Sequence, residues 1–201
     1  LDGKSEKLKG PFAELWLQAW REAFPAKLSG DAGIEEIRVV ADSYKQEALK
    51  SVIERNINPK FFEILETAHE NADGDIWSAE LLEGQNHPVS DAIFFNETTG
   101  KSYEINYKFS ENANYIENHI QLYPDVPVIA TADVAEKINS PFVFSGKYDY
   151  DEVIEVTEQN FQNLLELKHS LYLEAGVAGA GAISLMYHLL PFTVAYYKGN
   201  I

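Results

Sequence analysis

Apolar side chains recur at helical spacing through the first third of the chain and at strand spacing through its middle. In PFAELWLQAWREAF, residues Phe12, Leu15, Trp16, Ala19, Trp20 and Phe24 share one face of a helix that Pro11 opens. After the turn-rich PAKLSGDAG, the same period places Ile34, Ile37, Ala41, Tyr44, Ala48 and Val52 on one stripe of IEEIRVVADSYKQEALKSVIERN. This predicts a second helix whose end Pro59 follows. A third, KFFEILETAHEN, stops at the Asn71-Ala72-Asp73-Gly74 turn. DIWSAELLEG reads as a strand or one more helical turn, and GQNHP as a loop.

From Asp91 the period shortens to two. DAIFFN is a short apolar strand and NETTGK a tight turn at Gly100; SYEINYKFS then alternates Tyr103, Ile105, Tyr107 and Phe109 against Glu104, Asn106 and Lys108. Together they predict a β-hairpin. A helix, ENANYIENHIQLY, runs to Pro124, and VPVIAT is a compact strand whose Thr131 caps the helix ADVAEKI. PFVFSGKYDYDEVIEVT predicts one or two strands with an acidic bend at residues 149–152, after which Thr157 caps EQNFQNLLELKHSLYLE. The order of elements makes this a mixed α/β (α+β) chain.

That last helix runs into residues 175–197, which carry no formal charge with His188 neutral. Such a run reaches the roughly 20 residues a membrane span needs. Ala175/Gly179 and Ala178/Ala182 have the small-xxx-small spacing of membrane helix pairs. The glycines, His188, Pro191 and thin flanking charge at Lys168 and Lys198 suit a buried helical hairpin or a homodimer-forming helix instead. Both readings stand at this point.

Composition narrows the functional classes. At 201 residues, 45% hydrophobic and 12% aromatic, the chain packs as one domain, or a domain with an appendage. Its net charge is −16, carried wholly by residues 61–201, where six basic side chains face twenty-two acidic ones. A chain-wide basic footprint for nucleic acid is therefore excluded, and any such contact rests on a local patch near Lys101, Lys108 and the basic helix of residues 38–60, on bound metal, or on another part of a longer protein. Without cysteine there is no disulfide, Cys-zinc site or thiol nucleophile, which fits a reducing compartment. The five histidines lack the HExxH spacing, and residues 1–10 lack the apolar core of a signal peptide, so the expected location is cytoplasmic, with membrane association through residues 175–197 as its variant. Leu1 in place of Met, and an apolar run that nearly reaches Ile201, read as a piece of something longer.

The chemistry concentrates in residues 88–131. Strand geometry puts Glu104, Asn106 and Lys108 on one face, while Asp91 starts the preceding strand. Two carboxylates, an amide and an ammonium then meet, and Asp91 with Glu104 supplies the carboxylate pair that Mg²⁺ or Mn²⁺ takes with water and a substrate phosphate. Such an ion activates water beside a phosphodiester, and Lys108 and Asn106 position that water.

HPVSDAIFF followed by YEINYK, a helix and an apolar strand resembles the PD-(D/E)XK nuclease superfamily over residues 34–131, roughly half the chain. The resemblance sets Asp91 and Glu104 in the places of the two acids, with the Ile105 carbonyl as a further metal ligand. The family spacing puts lysine at 106, where Asn106 stands, with Lys108 two residues on, so the chain reads as an E-x-N-x-K variant; Pro88 also sits early. A helix acid is implied, with Glu47, Glu54 and Glu66 as candidates. The implied organisation is an N-terminal helical extension (1–30), a restriction-endonuclease-like α-β-β-β-α-β core (31–156), and a C-terminal helix running into the apolar segment (157–201).

Three functions follow. One is a Mg²⁺-dependent nuclease domain of a larger protein, cutting DNA, with RNA as the second substrate. Another is a non-catalytic, acidic module of the same fold that binds a basic partner or is tethered to a membrane. The third is a membrane-anchored structural protein in which the hairpin pairs are only cross-strand charge ladders. Aromatic residues at helical spacing such as Trp16, Trp20, Tyr115 and Tyr123 are core formers first and base-stackers second. His87 reads as a turn residue near substrate, and the acidic runs at 149–152 and 63–83 as solvated faces without EF-hand spacing.

Overall fold

The computed structural model describes residues 8–82 and 89–174, with side chains described as far as Leu167. Four helical segments lead into the sheet: α1 (Ala13–Ala23), α2 (Ile34–Asp42), α3 (Gln46–Val52) and α4 (Asn58–Glu70), with a π-helical turn at Ile53–Ile57 joining α3 to α4. The single helix expected over residues 34–56 therefore breaks. Ser43 causes the break locally, because its hydroxyl donates to the Val40 carbonyl at 2.6 Å and Lys45 turns extended at ψ 157°. The interruption shifts the helical phase, so Leu49 rather than Ala48 is buried. Pro59 opens α4 instead of following a helix end, since its missing N–H falls in the first turn, where it is least costly.

Five strands follow: β1 (Trp77–Leu81), β2 (Ala92–Asn96), β3 (Lys101–Lys108), β4 (Val128–Ala130) and β5 (Val143–Ser145), in spatial order β1-β2-β3-β4-β5. The first three form an antiparallel meander, and β3, β4 and β5 are parallel. Parallel neighbours need crossovers, which α5 (Ala113–Leu122) and α6 (Ala132–Ala135) provide before α7 (Tyr150–Glu174) closes the described chain. The expected hairpin is present. Gly100 turns it at φ 68°, and the Asn96 carboxamide oxygen accepts from the Thr98 and Thr99 amides at 3.1 and 2.8 Å.

Strand alternation divides the interior. Ile105, Tyr107 and Ala92 pack with α1, α2, α4 and α7 in a large core centred on Trp16, Trp20, Phe61 and Phe62. Val128 and Ala130 point the other way, into a smaller cluster with Ile116, Val134 and Ile138. The sheet is thus covered on both faces, and β3 is buried at Ile105, Asn106 and Tyr107 in succession. Two threonines expected to cap helices do not. Thr131 holds the N-cap position of α6, yet its hydroxyl makes no capping bond. Thr157 lies buried inside α7, which starts seven residues earlier: the Asp149 amide bonds Glu152 at 3.0 Å and the Tyr150 amide bonds Asp133 at 3.0 Å. The acids of 149–152 therefore form a helix start, where the dipole favours them, and not a bend. Among the described residues no helix is long and apolar enough to cross a membrane; residues 175–197 lie outside them.

Behind β4, the loop at residues 146–148 is pinned to α4 by Glu66, whose carboxylate accepts from the Lys147 amide at 2.9 and 3.0 Å and from the Tyr148 amide at 3.2 Å. A Cβ at Gly146 would lie 2.6 Å from Glu66 Oε1 and 2.9 Å from the Ala130 carbonyl. Gly146→Ala is expected to cost about 1–3 kcal/mol, whereas Gly30→Ala, with nothing within 4 Å, should stay within about 0.5 kcal/mol of the native chain. Urea unfolding of the two variants checks this, and equal midpoints would refute the packing of the loop on Glu66.

Candidate active site

β3 changes partner halfway along. Residues 101–105 pair with β2, while Asn106, Tyr107 and Lys108 pair with β4. Because β2 begins at Ala92, the Tyr107 N–H on its β2 side has no strand carbonyl to meet, and a buried amide must be satisfied. Asp91 satisfies it: its Oδ2 accepts from that N–H at 2.8 Å. The Asp91 amide donates to the Ile105 carbonyl at 2.9 Å, and its carbonyl accepts from Leu82 at 2.9 Å. Asp91 thus brackets Asn106. The Asn106 amide group donates to the Val89 carbonyl at 2.7 Å, and its Oδ1 is buried with no hydrogen-bond partner among the described residues.

Four ionisable side chains surround this junction. Burial pushes the Asp91 carboxyl above its ordinary range, opposed by the Tyr107 N–H and by the ammonium groups of Lys108 and Lys60. Burial likewise holds the Lys108 ammonium below its usual range, against the pull of Asp91 and Glu63. On α4, burial raises Glu63; Lys60 counters, and the negative charge of Asp91 adds to the rise. Lys60 Nζ lies 2.5 Å from Glu63 Oε2. Burial alone would lower Lys60, but Glu63, Glu22 and Asp91 outweigh it and leave it raised. At the margin, His119 on α5 is held below its ordinary value, first by burial and then by the Lys108 charge.

Of the residues named from sequence, Asp91, Ile105, Asn106 and Lys108 meet here. Glu104 stands across from Ile93, exposed, and its carboxylate accepts from the Ser90 hydroxyl, so it braces the residue before Asp91. Glu47 is exposed, Glu54 pairs with Lys50 at 3.8 Å, and Glu66 is spent on the 147–148 backbone. The helix acid that shares its charge environment with Asp91 is Glu63, with Lys60 of the basic helical region beside it; Glu63 opens the run expected to be a solvated face, yet its side chain is only 14% exposed because α4 turns it toward the sheet. A signal existed, since Glu63, Glu66 and Glu70 recur at i, i+3 and i+7 on one side of α4, and all three bear on Tyr107. Trp16 and Trp20 are wholly buried, edge to face at 5.8 Å, which removes them as base platforms, while Tyr115 and Tyr123 remain exposed. His87, Pro88 and His188 lie outside the described residues.

Among the described residues no three His, Asp or Glu side chains gather as a self-sufficient metal cage. Mg²⁺ asks for less, taking one or two carboxylates and filling the rest with water and phosphate. Asp91 and Glu63 supply two half-buried carboxylates, with the charge of Asp91 bearing on Glu63, and Asn106 Oδ1 is an unsatisfied oxygen beside Asp91, so the donor set suits a hard divalent cation.

The far end of the α4 acid stripe opens on a pocket of about 280 Å³ lined in part by Glu66, His69, Glu70, Asp73 and Lys147. Burial, then the charges of Asp75, Asp73 and Glu66, push Glu70 up to about 7. A carboxyl raised on folding binds its proton more tightly in the folded state, so its contribution is full below the ordinary glutamate range and is lost as pH rises through about 7. Glu70→Gln should therefore raise the thermal midpoint at pH 8 and leave it unchanged near pH 4. A midpoint difference that does not grow between these pH values contradicts the assignment. No family model, curated protein or solved structure matches this chain.

Proposed function

We propose that the chain is a Mg²⁺-dependent nuclease domain of PD-(D/E)XK type that hydrolyses phosphodiester bonds of DNA. The observation that carries the reading is the convergence of Asp91, Glu63 and Lys108, all at least half-buried, where β3 passes from β2 to β4. The run α4-β1-β2-β3-α5-β4, antiparallel and then parallel, supports it, being the order the sequence resemblance implies.

Asp91 and Glu63 would hold the ion, with Asn106 Oδ1 and the Ile105 carbonyl as neutral oxygens. When bound, such an ion makes its water more acidic and offsets charge building on the phosphate. Lys108 orients the attacking water and stabilises the phosphorane charge, and its half-buried site strengthens that interaction relative to open solvent. Glu104, through Ser90, positions the segment that carries Asp91. Approach of a polyanion to a chain of net charge −16 depends on this local balance of two lysines against two acids. Arg38, Lys50 and Lys60 of the basic helical region are each engaged by a glutamate, while Lys45 and Arg55 of that region are exposed.

A second reading, the non-catalytic module, draws on Asn106: a neutral amide occupies the position that Asp91 brackets. One assay separates them. Plasmid and oligonucleotide DNA, with RNA alongside, are incubated with Mg²⁺ or Mn²⁺ at low salt. Asp91→Asn still offers an oxygen to the Tyr107 N–H but loses its charge, so it and Lys108→Ala should each slow cutting at least about a hundredfold while staying folded. Cutting by Asp91→Asn at the native rate, or no cutting by the native chain, would refute catalysis at this site.

A further inference from the structure

The four charges at the β3 junction sum to zero, Asp91 and Glu63 against Lys60 and Lys108. A divalent ion added among them would leave a net charge of +2 in a half-buried site, an unfavourable arrangement unless one cation leaves. Lys108, half-buried on β3, is the lysine assigned above to the attacking water. Lys60 differs: it stands in the first turns of α4, its side chain is 29% exposed, and its hold on Glu63 is a single contact to Oε2 three residues along the same helix. A four-carbon stem lets its ammonium move out to water without disturbing the backbone.

We propose that Lys60 is the resident counter-ion of the site, occupying Glu63 in the metal-free chain and giving it up when a divalent cation binds. The inference rests on the nuclease reading above and adds a regulatory element to it. The lysine neutralises two carboxylates that would otherwise repel one another at the core edge. It also competes with metal for Glu63, so the chain holds its ion weakly at rest. Glu22, whose charge also bears on Lys60, offers the displaced ammonium an acceptor on α1.

Competition makes a prediction opposite to that of a purely structural ion pair. Removing the ammonium while keeping the stem, as in Lys60→Met, should tighten Mn²⁺ binding by about tenfold or more, the scale of one half-buried charge interaction. Equilibrium binding of Mn²⁺ to the full chain, read from free Mn²⁺ by electron paramagnetic resonance, measures this without any turnover. Lys60→Gln serves as a second variant, circular dichroism checks folding, and Asp91→Asn and Glu63→Gln locate the ion. Tighter Mn²⁺ binding in either folded Lys60 variant, lost again on adding Glu63→Gln, supports the proposal. Native-like or weaker binding in the Lys60 variants, with binding still dependent on Asp91 and Glu63, overturns the counter-ion role and leaves the nuclease site standing. Mn²⁺ binding indifferent to Asp91 and Glu63, or none at all, overturns both.

Discussion

One hydrogen bond organises the candidate site: the Tyr107 N–H to the Asp91 carboxylate, 2.8 Å long, at the point where β3 leaves an antiparallel neighbour for a parallel one. A strand that changes partners has an amide facing empty sheet, and in a covered sheet that amide cannot be left to water. A backbone carbonyl would satisfy it with a neutral group; here a carboxylate does, drawn into the interior by its second role as acceptor. Once Asp91 is buried, cations must follow, and Lys108 and Lys60 supply them from β3 and α4. The charge cluster is in this sense a consequence of sheet topology.

The same topology gives Asn106 its place. Hydrogen bonds of Asp91 to Ile105 and Tyr107 flank it, and its own amide group ties the Val89 segment to β3. An unpaired buried acceptor is unfavourable by about 1–3 kcal/mol; Asn58 and Asn160 share this trait, but Asn106 alone of the three stands at the charge cluster. Structural clamp and neutral cation ligand are compatible roles, since the amide nitrogen performs the first and leaves the oxygen for the second.

Much of the architecture was legible, and the failures have physical causes. Strand alternation around Gly100 and the stop at Pro124 depend on local chemistry, and those elements fall where periodicity puts them. Helix phase across Ser43 did not, because α3 buries its apolar face on the same core after the break, so the stripe continues one residue out of step. Thr157 looked like a cap because a threonine before a helical run usually is one; the start of α7 is instead set by Glu152 and by Asp133, the latter seventeen residues before Tyr150. At the site, Asp91 and Lys108 were readable from the hairpin. Glu63 was not, since which acid of the α4 stripe meets the sheet depends on the rotation of α4 about its axis, and the π-helical turn before it sets that rotation.

The most direct test of the account is where a divalent ion sits. Crystals grown with Mn²⁺, measured at the manganese absorption edge, should show an anomalous peak against the carboxylates of Asp91 and Glu63, with the Lys60 ammonium withdrawn from Glu63. A peak at Glu104 alone, one confined to the Glu66, Glu70 and Asp73 pocket, or none at saturating Mn²⁺, would contradict it.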